Sequence, residues 1–229
     1  MRLQPRIRHD WDLSFPEARA LQERLSGRVL ESEPERAPRL VAGADVSFDR
    51  RSPHLHAAVV VLDAASLEIV EVVGVQARAR FPYVPGYLSF REIPALLEAF
   101  ARLRSRPDLI VCDGQGRAHP RRFGLACHLG VLLDVPTLGC AKSRLVGEYR
   151  EPGARRGAHT RLREGSELIG EVVRTRSGVK PVFVSVGHRI TLEGARRSVL
   201  RLAPRYRLPE PIRAAHQEVN RLRRLAKDG

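Results

Sequence analysis

Three acids sit where a carboxylate is costly to keep. Asp45 interrupts the apolar run "VAGADVSF", Asp113 closes "LIVCDG", and Glu92 follows the proline-bracketed stretch "FPYVPGYLSFRE". An ionised side chain among apolar neighbours needs a partner. For any one of the three, a structural arginine or a set of backbone amides would serve. Three such acids together point to an oxygen-ligand site for a hard cation. Mg²⁺ is the cation of that kind that keeps waters and engages substrate phosphate.

Basic and glycine-rich residues follow the second aspartate. "DGQGRAHPRRFG", residues 113–124, holds Gly114 and Gly116, two glycines of a GxGxxG. The third place is His119, and Pro120 follows it, so no helix opens there as a dinucleotide loop requires. That reading is rejected. The two glycines are expected to let backbone approach a ligand, with Arg117, Arg121 and Arg122 meeting phosphates. His119 reads as a general acid or base, a phosphate donor or a loop histidine. Lys142, after the run "PTLGCA", suits a phosphate-facing charge or a solvated surface lysine, and His216, among alanines, reads as structural. Tyr83, between Pro82 and Pro85, reads alone as a half-buried residue in a stiff turn.

Composition narrows the partners. Lys and Arg number 40 against 26 Asp and Glu, a formal charge of +14, which suits a polyanion such as nucleic acid. Apolar residues make up 43% of the 229, enough for a substantial core. No run reaches the roughly 18 apolar residues of a membrane span. Cys112, Cys127 and Cys140 stand alone in apolar contexts and read as core residues of a soluble, cytoplasmic protein.

Positioning these residues falls to a single α/β domain spanning residues 1–229. A helix is expected at 14–30 after a Ser N-cap, then the connector "ESEPERAP" and a three-stranded antiparallel meander at 40–48, 57–63 and 67–77. "SFREIPALLEAFARLR" has helical spacing, with Pro94 expected in a first turn. "PDLIVCDG" and "VPTLGCAKS" read as buried strands around the helix "RRFGLACHLGVLLD". "SELIGEVVRTR" and "KPVFVSVGHRI" read as a later pair, and two helices close the chain. The glycine-rich, basic stretch 147–165 is expected to be a mobile loop.

The set "GADVSF", "FPYVPGYLSFRE", "VCDGQGRAHPRRFGLACHLG", "TLGCAKSRLVG", "PVFVSVGHRITL" and "RLPEPIRAAHQ" resembles endonuclease V, in the same order and spacing. The resemblance implies an RNase H-like fold, a mixed five-stranded sheet flanked by helices, in a monomer. It implies a deoxyinosine-directed DNA repair endonuclease that cuts the second phosphodiester bond 3′ to the lesion, leaving 3′-OH and 5′-phosphate. Asp45, Asp113 and Glu92 become the metal-centred acids, served by Mg²⁺ or in its place Mn²⁺. His216, Lys142 and His119 join them as catalytic residues. Pro82, Tyr83, Val84 and Pro85 become a wedge into the base stack, with Val84 where isoleucine is usual. Gly86, Leu88, Gly114, Leu125 and Leu145 line a pocket for the flipped base, whose edge the backbone groups of Gly86 and Gly114 would read. Tyr87 has no place in this scheme. An endoribonuclease acting on inosine in RNA and a non-catalytic nucleic-acid-binding protein of the same fold are the alternatives.

Overall fold

The computed structural model describes residues 3–33, 36–48 and 53–228; Pro34 and Glu35 of the connector lie outside them. Helix α1, Phe15–Ser26, begins at Ser14 with a capping box closed by Glu17. The meander follows as β1, Leu40–Phe48, β2, His54–Asp63, and β3, Ile69–Arg78, each antiparallel to the one before. Helix α2 spans Leu88–Arg102. Strand β4, Leu109–Cys112, helix α3, Leu125–Leu133, and strand β5, Thr137–Ala141, form the alternating section. Strands β6, His159–Glu164, β7, Glu167–Val173, and β8, Val182–His188, precede helices α4, Leu192–Leu202, and α5, Glu210–Asp228.

These strands make one mixed sheet in the order β3-β2-β1-β4-β5-β8-β7-β6. Both faces of its central strands are covered, which is why β4, β5 and β8 are buried without interruption. Side-chain alternation divides the core. Ala42 and Ala44 of β1 face α2 and α3 through Ile93, Leu96 and Leu129, while Val41 faces α4 and α5 through Val199 and Ile212. Gly43 lets α5 cross β1 with nothing between them: an added Cβ would lie 1.9 Å from the Pro211 carbonyl oxygen.

Three expectations are corrected. The sheet has eight strands among the described residues, where five were implied. Two of the additional strands, β6 and β7, form a hairpin beyond β8, and β6 lies inside the stretch read as a loop. Its sequence "HTRLRE" buries only Leu162, so it offers no apolar run to read. Pro94 lies inside α2, since the helix starts at Leu88, six residues earlier. Among the described residues no helix is long and apolar enough to cross a membrane. The three cysteines are free and buried, as expected.

Candidate active site

Parallel pairing of β1 with β4 puts Ala44 beside Cys112, so Asp45 and Asp113 leave adjacent strands at one level. Glu92 reaches the same place from the second turn of α2. Its side chain is buried, and among the described residues no basic group forms an ion pair with it. Burial and the charges of Asp45 and Asp113 push the Glu92 carboxyl well above its usual range. Burial, then Asp113, also raises Asp45, against the restraining His216. The three acids therefore crowd one another.

Two bases come from distant segments of the chain to relieve this. His216 on α5 donates from Nδ1 to Asp45 Oδ2 at 2.8 Å, and the other Asp45 oxygen accepts from the Val46 amide. Lys142, just past β5, places Nζ 2.5 Å from Asp113 Oδ2. Among the described residues no group of three His, Cys, Asp or Glu is arranged to hold a metal ion. The donor chemistry nonetheless fits a hard cation. Crowded carboxylates, one of them without an ion pair, are what a divalent ion would neutralise.

Beside the acids lies a cavity of about 370 Å³, and every residue assigned to the base pocket lines it: Gly86, Leu88, Gly114, Leu125 and Leu145. Tyr83, Val84 and Pro85 form its lip, with Tyr83 44% exposed and its ring 5.4 Å from that of Phe48. Pro82 is exposed at the start of this loop. Asp113, His119 and Lys142 also line the cavity, joining it to the acids. Ser89, Gln115 and Arg144 are lining residues that were missed. The first two had a signal, since Ser89 follows Leu88 and Gln115 lies between two assigned glycines. Arg144 had none.

The loop is held from behind. Gly86 adopts φ +82°, a conformation glycine accepts freely. Its carbonyl receives Arg121 Nη2 at 2.6 Å, His119 Nε2 at 3.0 Å and Gln22 Nε2 at 3.1 Å. That carbonyl is saturated, so it cannot also read a base edge. His119 Nδ1 accepts from the Arg121 amide, which leaves Nε2 as the protonated nitrogen of a neutral ring. Burial, then Arg121, pushes its pKa down to about 4. The structure thus uses His119 as a strut between the two loops, and among the described residues no hydrogen bond joins it to the acids. Tyr87 now has a place: its ring packs on Phe15 and Phe81 and lies under Arg121 at 4.3 Å, outside the cavity.

The arginines of 113–124 are also committed elsewhere. Arg117 pairs with Glu31 and Glu167, and Arg122 with Glu164 and Glu167. Each of the three thus already has partners within the protein, Arg121 through Gln22 and the Gly86 carbonyl. Gly116 makes room for backbone of the protein itself, since a Cβ there would meet the Val186 carbonyl oxygen at 1.9 Å.

Comparison with known proteins matches this arrangement to one family. The Endonuclease V family profile matches residues 23–217. The endonuclease V of Roseiflexus sp. (strain RS-1) is 51% identical over 205 residues, covering 90% of this chain and 91% of that protein. The crystal structure of endonuclease V from Streptomyces avermitilis superposes with a TM-score of 0.91 at 47% identity, covering 99% of this chain and 100% of that one. Endonuclease V from Ciona intestinalis, solved with a 24mer DNA containing an inosine followed by a ribo-adenosine, superposes with a TM-score of 0.82 at 28% identity, covering 93% and 98%.

Proposed function

We infer, from a chain that belongs to the endonuclease V family, that this protein is a DNA repair nuclease. It takes a deoxyinosine into the cavity and hydrolyses the second phosphodiester bond 3′ to it, leaving 3′-OH and 5′-phosphate. The observation that carries the reading is the junction of the cavity with the crowded acids: Asp113 and Lys142 line the one and belong to the other. The five strands β3-β2-β1-β4-β5, a meander followed by two parallel strands, support an RNase H-like core, with β6 to β8 appended.

Asp45, Asp113 and Glu92 would hold Mg²⁺, or Mn²⁺ in its place. When bound, such an ion polarises the scissile phosphate and makes water a better nucleophile. The remaining work belongs to the chain. His216, whose Nδ1 proton is held by the bond to Asp45, fixes that carboxylate from a half-exposed side chain. Lys142 is positioned to exchange Asp113 for a substrate phosphate, one anion replacing another. The wedge residues Pro82 to Pro85 keep the emptied place in the base stack open, held rigid by the clamp on Gly86. A mispaired hypoxanthine is cheaper to extrude than a paired purine, which favours the lesion before any contact reads it.

The test compares matched deoxyinosine DNA and inosine RNA in Mg²⁺, with EDTA controls and an Asp45→Asn variant. DNA nicked at the second bond, EDTA sensitivity, and an Asp45→Asn protein that binds inosine without cutting are expected. Preferential cutting of the RNA would reassign the substrate. Mg²⁺-dependent cutting by Asp45→Asn would remove the acids from the mechanism.

A further inference from the structure

The segment that walls the cavity also walls a second concavity. Lys142 to Leu145 line the cavity, and a few residues on, Glu148, Tyr149 and Arg150 line a groove of about 700 Å³. Its other side is the edge strand β6, through Arg161 and Arg163. The two walls are stitched together: Glu148 and Arg163 exchange backbone hydrogen bonds, and Thr160 Oγ1 donates to the Arg150 carbonyl at 2.5 Å. Arg144 joins cavity to groove, since it lines the first and its guanidinium lies 5.9 Å from the centre of the Tyr149 ring in the second.

The arginines of this groove outnumber its acids: Glu148 lines it, and Glu171 faces Arg161 from the neighbouring strand. Among the described residues no carboxylate pairs with Arg144, Arg150, Arg161 or Arg163, whereas Arg117, Arg122 and Arg174 close by each pair with glutamate. Arg144 and Arg163 donate to the carbonyls of Gly147 and Ser166, which aims them without neutralising them. Arginine on an edge strand also discourages pairing with another chain. That role asks for neither a concave shape, nor a second wall bearing an arginine and an aromatic ring, nor continuity with the cavity. All three features suit a strand of phosphates and sugars.

We propose that this groove seats the sugar–phosphate backbone of the strand leading away from the base held in the cavity, with Arg150, Arg161 and Arg163 on its phosphates. The proposal rests on the base-holding reading of the cavity and extends the binding surface beyond it. Arg150 and Arg161 suit a test because they are exposed and their side chains donate to no other group among the described residues. An Arg150→Gln/Arg161→Gln protein and the parent are titrated with single-stranded inosine oligonucleotides between 50 and 200 mM salt. The oligonucleotides are full length or trimmed on one side of the inosine. Two lost phosphate contacts should lower the slope of log K against log salt by about 1.4. The affinity difference should vanish for oligonucleotides trimmed on one particular side, and the inosine-to-adenine preference and Tm should hold. An unchanged salt slope overturns the proposal, and new self-association in light scattering with that slope intact would leave the arginines as edge guards. A parent protein without inosine preference would instead count against the cavity reading, because the salt slope is measurable on any oligonucleotide.

Discussion

Gly43→Ala should pull His216 and Asp45 away from each other, although the substitution touches neither. The added Cβ falls 1.9 Å from the Pro211 carbonyl oxygen and 2.2 Å from its carbon, where ordinary contact begins at 3.4 Å. The obstacle is helix backbone, so α5 must withdraw from β1 by up to the difference, 3.4 − 1.9, about 1.5 Å. His216 is carried on that helix, and Asp45 lies two residues along β1 from the insertion. Their 2.8 Å hydrogen bond would open toward roughly 4.3 Å, beyond bonding reach. Overpacking of this kind costs about 1–3 kcal/mol, which in a domain of this size lowers Tm by roughly 2–4 °C per kcal/mol. Misplacing a catalytic group by an ångström costs on the order of 100-fold in rate. Activity should therefore fall much further than stability.

A control on β3 meets the same helix. At Gly74 the added Cβ would meet Leu222 Cδ1 at 2.5 Å, the free end of a flexible side chain that can turn away. Gly74→Ala should cost about 1 kcal/mol or less and leave cleavage within a few-fold. Thermal unfolding and single-turnover cleavage of inosine DNA in Mg²⁺ measure both quantities on both proteins. Gly43→Ala cutting at the parental rate would refute the reasoning. So would Gly74→Ala losing as much activity, because the effect would then not depend on the backbone contact beside Asp45.

Glu92→Gln should abolish cleavage yet stabilise the metal-free protein by about 0.5–2 kcal/mol, because it removes one of three mutually repelling acids. It should also blunt the rise in Tm that Mg²⁺ gives the parent, and a lowered Tm without metal would contradict the crowding of the acids. Acid should weaken the fold between pH 6.5 and about 4. There the unfolded chain protonates His119 while the native one, with its pKa pushed down to about 4, does not. His119 alone accounts for about 3 kcal/mol of loss across that window. Asp45 and Glu92, raised in the fold, act in the opposite sense, gaining stability as pH falls toward the ordinary carboxylate range. Urea unfolding at pH 7 and pH 5 should show a smaller pH dependence for His119→Gln than for the parent, and equal dependence would free His119 from its strut.

What the sequence displayed and what it hid follow a physical division. Asp45 and Asp113 were legible because a charge in an apolar run is a local contradiction, and the strands carrying them were legible from the same runs. The pocket residues came from motif resemblance, and the cavity gathers all five. Strand β6 was illegible because an edge strand needs neither alternation nor burial; its partner β7 supplies the hydrogen bonds. Arg117 and Arg122 looked like phosphate ligands because guanidinium serves phosphate and glutamate equally well, and Glu31, Glu164 and Glu167 lie 42 to 86 residues away along the chain. His119 makes the point most sharply. A histidine in a glycine-rich loop has the right atoms for proton transfer, but its protonation is set by burial and by Arg121 and Gly86, one of them from another loop. Residue type can be read from one position, whereas a proton's place on it is decided by residues that only the fold brings near. Hence the acids could be nominated before the fold was known, and the bases around them could not be ranked until it was.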